Sequence, residues 1–106
     1  GAHAEGDGAQ ASGYAGHAEG IGTTAIGYAA HAEGDHTIAS GDCQHVSGRF
    51  NVEDPSSEYA FIVGNGSSSN SRSNAFAIDW NGNIVLFNNG SPVVLTPAKL
   101  AQLIAL

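Results

Sequence analysis

The string His-Ala-Glu-Gly returns in this chain at a fixed step. Histidines stand at His3, His17, His31 and His45, 14 residues apart, with glycines three residues after each, at Gly6, Gly20, Gly34 and Gly48. A second string, Ala-x-Gly, keeps the same step at Ala11 and Gly13, Ala25 and Gly27, and Ala39 and Gly41. Two strings in one register over four units define a repeat array, and the length of the unit limits what it can form. Helical repeats need about 33 residues or more per unit. Fourteen residues suffice for two strands of about five residues joined by tight bends, stacked unit on unit as a solenoid.

In that arrangement H-A-E is one strand and T-A-x-G-Y the other. Gly6, Gly20 and Gly34 fall at bends that need a left-handed or crowded backbone. Because side chains alternate along a strand, His and Glu share one face, while Ala4, Ala18, Ala32 and Val46 share the opposite one. Small residues suit the narrow inside of a coil. Successive coils then lie about 4.8 Å apart, and the histidines form a ladder along the axis.

Composition says where such an array finds its stability. The 106-residue chain holds 15 glycines, and only 12% of its residues are charged, which fits neither an ordinary enzyme nor a charged disordered tail. Before Val46 the only large aliphatics are Ile21, Ile26 and Ile38. A roll this poor in bulk buries little apolar surface by itself, which points to partners. The net charge of −7, with Arg49, Arg72 and Lys99 as the only fixed cations, argues against nucleic acid and against an anionic membrane surface. No apolar run is long enough to span a membrane as a helix. The chain starts at Gly1 in register with the repeat, so it is expected to be a piece of a longer protein, and a missing signal segment says nothing of location. The single Cys43 takes the place of Ala15 and Ala29 and is expected to be a small, half-buried side chain.

The two motifs at a 14-residue step, over residues 1 to 48, resemble the head repeats of trimeric autotransporter adhesins, the YadA-like head. They are closer still to the HAEG variant of phage and prophage tail proteins. The segment "YAFIVGNGSSSNSRSNAFAIDWNGN" is also similar to the segment downstream of HAEG repeats in prophage tail fibres. The resemblance implies a mainly β fold: a left-handed parallel β-roll, then a β-hairpin region and a short C-terminal helix, in an intertwined homotrimer. The fourth unit, "QHVSGRFNV", departs from the pattern, with Ser47 where Glu is expected and no Ala-x-Gly half, so the roll is expected to end near residue 50.

The chain divides into three regions: the HAEG roll over 1–50, a strand and hairpin region over 51–94, and a helix over 95–106. "NVEDPSSE" is a polar connection and "YAFIVGNG" a strand, while "SSSNSRS" is a loop. "NAFAIDWNGNIVLF" alternates Phe76, Ile78 and Trp80 against Ala75, Ala77 and Asp79, and turns at Asn81-Gly82, a strong hairpin signal. Thr96 and Pro97 open a helix, with Leu100, Leu103 and Ile104 on one stripe. About ten helical residues are marginal alone. Three such helices could close an apolar knot on a trimer axis, the competing arrangement being a helix packed on its own chain's hairpin. Phe76, Ile78, Trp80, Leu100, Leu103 and Ile104 are the expected trimer contacts.

The ladder of His3, His17, His31 and His45 with Glu5, Glu19 and Glu33 offers good ligands for transition metals. A metal centre, however, needs ligands converging at about 2 Å, and stacked repeats hold equivalent atoms about 4.8 Å apart. The ladder is therefore read as structural, through hydrogen bonds and stacking, with no metal and no cofactor. His36 lies outside it and is expected at the surface. No serine is marked as a nucleophile by a G-x-S-x-G elbow, and "GNGSSS" lacks the lysine of a phosphate loop. Neither the hexapeptide step of solenoid acyltransferases nor a nine-residue calcium repeat is present. Thr23, Thr24 and Thr37 give no regular column of the kind an ice-binding face would need. No catalytic residue is assigned, and an enzyme is not expected.

Repeat, charge and resemblance together imply a structural, non-enzymatic segment of a homotrimeric tail fibre in a virion, projecting or forming a host-binding region. The partner would be the chain itself, with a host surface glycan or protein as ligand, and neither nucleic acid nor membrane insertion. Tyr14 and Tyr28, at one repeat position, are the candidates for stacking on sugars, against simple packing between coils or chains. One alternative is the head of a trimeric adhesin on a bacterial surface. Another is a metal- or proton-responsive module built on the ladder.

Overall fold

A computed structural model describes residues 1–105. It contains eleven strands and one helix: β1 (His3–Asp7), β2 (Gln10–Ala11), β3 (His17–Ile21), β4 (Thr24–Ala25), β5 (His31–Asp35), β6 (Ile38–Ala39), β7 (His45–Arg49), β8 (Tyr59–Asn65), β9 (Asn74–Asp79), β10 (Ile84–Asn88), β11 (Ser91–Leu95) and α1 (Pro97–Ile104). The fold is mainly β, a parallel solenoid followed by an antiparallel extension and a short helix. Leu106, the last position of the expected helical segment, lies outside the described residues.

The repeat becomes structure by stacking in register. His3 pairs with His17, His17 with His31 and His31 with His45, all in parallel strands. On the other side of each coil, β2, β4 and β6 form a three-stranded parallel sheet. These second strands are two residues long rather than about five, because a tight turn comes at once after them. In the second coil Ala30 N–H donates to Gly27 O at 3.2 Å, and Ala29 between them has a left-handed φ of 53°. The same left-handed corner recurs at Ala15, Cys43 and Ser57. Cys43 is consequently exposed at a turn and not half-buried.

The coil interior is narrow. Ala18, Ala32 and Val46 from one sheet and Ala25 and Ala39 from the other are fully buried. Their column continues into Ile62, Ala77 and Val85, so the core widens as the roll gives way to the antiparallel strands. Thr23 and Thr37, one step apart, do form a column, but it is buried inside the roll. Glycine is required where coils touch. Gly20 and Gly34 have φ of 113° and 108°, and a Cβ on either would strike the carbonyl oxygen of the glycine in the next coil.

Parallel stacking runs one strand past residue 50. β8 pairs parallel with β7, placing Phe61 beside His45, a step of 16 residues in place of 14. Three buried polar side chains close this longer coil. Asn51, in the column of Thr23 and Thr37, accepts from Ile38 N–H at 2.8 Å and donates to Ile38 O at 3.1 Å, standing in for the next strand at the edge of β6. Gln44 donates to Asp54 Oδ2 at 2.8 Å, and Asp54 accepts in turn from Tyr59 N–H at 2.9 Å. Buried amides and carboxylates are tolerated because each is bonded.

From β8 the sheet turns antiparallel through β9, β10 and β11. The β9–β10 turn is organised by Asp79, whose carboxylate accepts from the backbone N–H of Asn81 and of Asn83, both at 2.9 Å. Those bonds to the charged form hold the Asp79 carboxyl below its ordinary range, the bond from Asn83 N–H first among them. A second hairpin turns at Asn89-Gly90, both with positive φ. Asn-Gly there is the same turn signal as Asn81-Gly82, and β11 is the strand it adds to the expected hairpin region. The helix is capped by Thr96, whose Oγ1 accepts from Lys99 N–H at 3.1 Å. Among the described residues of α1 none is buried, so the helix does not pack on its own chain's hairpin. No helix among the described residues is long and apolar enough to cross a membrane.

Candidate functional site

Alternation along the strands assigns one face of the eight-stranded sheet to the histidines and glutamates. Register carries that face across the whole molecule. The His45 column meets Phe61, then Ile78, Ile84 and Leu95; the Ser47 column meets Val63, then Phe76, Leu86 and Val93. The face is thus polar over the roll and apolar over the antiparallel strands. Ala77, between Phe76 and Ile78, points the other way into the core. Trp80 stands beyond the end of β9, 55% exposed, with its Nε1–H donating to Ser57 O at 2.8 Å.

Over the roll, imidazole rings stack along the axis. His17 and His31 have centroids 4.5 Å apart with planes at 11°, and His31 and His45 are 4.5 Å apart at 22°. His3 and His17 have centroids 4.9 Å apart and planes tilted at 51°. Glutamates reach across to the next coil. Glu19 Oε1 is 3.2 Å from His31 Nε2, and Glu33 Oε1 is 2.9 Å from His45 Nε2. With the carboxylates ionised, the hydrogen of each bond lies on the imidazole. The bond from His45 is the main reason that the Glu33 carboxyl sits below its ordinary range, with the nearby charge on His45 and His31 adding to it against the opposing effect of burial.

Glu5 breaks this pattern. It leans on His3 of its own coil, 3.7 Å away, and leaves His17 Nε2 buried without a hydrogen-bond partner among the described residues. The ladder so contains three sets of two imidazoles and one carboxylate whose ligand atoms lie within 4.8 Å of one another. They are His3–Glu5–His17, His17–Glu19–His31 and His31–Glu33–His45. His36 stands apart. It stacks on Phe50 at 4.9 Å and is half-buried rather than fully at the surface.

At the opposite corner of the coil, Tyr14 and Tyr28 stack face to face, 5.4 Å apart with planes at 4°. Both are exposed, Tyr14 at 71%. Their position results from the Gly-Tyr-Ala turn, which throws the tyrosine outward while the alanine takes the left-handed backbone. Asp42 holds that place in the third coil and accepts from Tyr28 N–H at 2.9 Å through Oδ1, which ends the aromatic column. The remaining sequence-derived contact residues are at the far end. Leu100, Leu103 and Ile104 are exposed on α1, as are Val93 and Val94 on β11. Alternation and the helical stripe therefore identify the outward apolar residues, while the pairing of Glu19 and Glu33 with histidines of the next coil has no signal in the linear pattern.

Comparison with known proteins agrees with this geometry. Residues 18–42 match the family described as YadA head domain repeat, in two copies. No curated protein and no solved structure matches the chain. The matched residues run from Ala18 in β3 to Asp42 after β6, so the stacked coils over that stretch are similar to YadA head repeats.

Proposed function

We infer that this chain is a structural, non-enzymatic segment of a homotrimeric tail fibre of a phage or prophage, projecting or forming a region that binds the host surface. The observation that carries the reading is the outward apolar surface of Phe61, Phe76, Ile78, Leu86 and Val93, together with a helix that buries nothing. Burial is worth roughly 25 cal/mol per Å² of apolar surface, and a single thin roll leaves Leu86 and Val93 exposed and Phe61, Phe76 and Ile78 only half-buried. Copies arranged about one axis cover them without a new kind of partner. Three amphipathic helices, marginal alone, close on one another through Leu100, Leu103 and Ile104. The work of such a segment is mechanical, since each coil lengthens the shaft by the same step. The acidic chain is unsuited to nucleic acid, and a neutral glycan or a host surface protein is the ligand class, with the Tyr14–Tyr28 stack as the platform.

A second reading is favoured by the family match over residues 18–42: the head of a trimeric adhesin on a bacterial surface, with the same architecture and a different anchor. Light scattering after gel filtration tests what the two readings share. A mass about three times 10.7 kDa supports them, and a monomer refutes both. Antibody against the chain separates them, by labelling either intact virions or intact cells.

A further inference from the structure

Equivalent atoms of stacked repeats are too far apart to chelate, and on that ground the linear pattern makes the ladder purely structural. In the fold, the atoms that approach one another are not equivalent ones. A carboxylate of one coil meets an imidazole of the next, and a tetrahedral site with ligands at about 2.0–2.1 Å has ligand–ligand edges of about 3.3 Å. The Glu19 Oε1 to His31 Nε2 distance of 3.2 Å is such an edge. Glu19 Oε2 is 4.0 Å from the Nε2 of His17, in its own coil.

We propose that His17, Glu19 and His31 form a binding site for a divalent transition-metal ion of the zinc class, one ion per chain, with the remaining position open to water. Two imidazoles and a carboxylate with an open fourth position are a ligand set that zinc accepts. The strongest support is His17 itself. Its Nε2 is buried and has no hydrogen-bond partner among the described residues, an unfavourable state for a polar atom that an ion relieves. The two stacked rings must turn toward a common point for both nitrogens to reach one ion, and His17 turns without breaking a hydrogen bond at Nε2. His45, in contrast, is held to Glu33 at 2.9 Å. The ion takes the place of the hydrogen that His31 Nε2 donates to Glu19, and the neutral ring then carries its single hydrogen on Nδ1.

The middle set is the one chosen by its neighbours. The outer set of His3 and Glu5 has side chains 60% and 63% exposed, more costly to order. Filling the middle set uses both His17 and His31, which leaves neither adjacent set complete. One ion per chain results from this sharing. The side chains of His17, Glu19 and His31 are 40%, 36% and 31% exposed, so an ion reaches the cluster from solvent once the His17 ring turns its buried Nε2 toward it.

The test is calorimetric titration of zinc chloride into the chain as it assembles in solution, for the wild type, His17→Ala, Glu19→Gln and His45→Ala. The expected result is one zinc per chain, more than about tenfold weaker binding in H17A and E19Q, and unchanged binding in H45A. No binding, two ions per chain, or binding by H17A or E19Q as tight as the wild type's overturns the proposal. Should those variants fail to fold, the imidazole resonances of the wild type decide. Zinc shifting His17 and His31 while leaving His45 in place supports the site, and the opposite pattern refutes it.

Discussion

His45 Nε2 lies 2.9 Å from Glu33 Oε1, 12 residues earlier in the chain and one coil away. His31 and Glu19 repeat the arrangement at 3.2 Å. The ladder therefore ties neighbouring coils to each other through side chains as well as through backbone. Its bonds depend on carboxylates remaining ionised, and that gives the roll a dependence on pH.

Glu33 has its folded-state pKa below its ordinary value of 4.5, so the folded form binds the proton less readily than the unfolded chain. Its contribution is fully present above 4.5 and is lost as pH falls through the folded-state value. The side chains are 36% and 40% exposed, and such a pair is worth about 0.5 kcal/mol. Thermal melts at pH 7 and pH 3 should show the loss in the wild type and a smaller one, by roughly 2–4 °C, in Glu33→Gln. Equal losses in both proteins would remove Glu33 from the account.

Gly34→Ala places a Cβ at φ 108°, against the carbonyl oxygen of Gly48. Both strain and collision act, and a loss of about 3 kcal/mol or more is expected. Gly82→Ala is the control, since its φ of 81° carries strain but the Cβ meets open space. It should cost only about 1–2 kcal/mol. Urea unfolding of the two variants compares them directly, and similar losses would show that coil contact is not what demands glycine.

Ala29 holds a left-handed backbone at φ 53° on an exposed corner. For an L-residue that conformation costs about 1–2 kcal/mol, partly offset in glycine by greater freedom in the unfolded chain. Ala29→Gly is therefore expected to stabilise the roll by up to about 1 kcal/mol, against the usual effect of adding glycine. A lower urea midpoint in the variant would contradict this.

Asn51→Ala should be among the most damaging changes to a small side chain here. It strips the partner from both Ile38 N–H and Ile38 O, each reached at 2.8–3.1 Å in the buried end of the roll. Leaving buried polar groups unpaired costs about 1–3 kcal/mol each. Asn51→Asp keeps the acceptor but loses the donor and buries a charge, so it should be no better. Hydrogen exchange at the Ile38 amide reports the loss locally, and unchanged protection in N51A would refute the capping role.

The repeat step alone determined the registers of His3, His17, His31 and His45, the two faces of each strand, and the alanine column that fills the coil. Alternation in the later strands also separated the outward Phe76 and Ile78 from the inward Ala77. These features were legible because stacking is a translation: once one coil is placed, the pattern of period 2 along the strand places its copies. What closes the roll has no such periodicity. The 16-residue step to Phe61, the amide of Asn51 standing in for a strand, and the bonded pair of Gln44 and Asp54 join residues 10 to 16 apart that meet only once. The direction in which Glu19 and Glu33 lean was likewise decided in three dimensions. Their own-coil and next-coil histidines lie on the same face, and only the spacing between stacked strands decides which imidazole each carboxylate reaches.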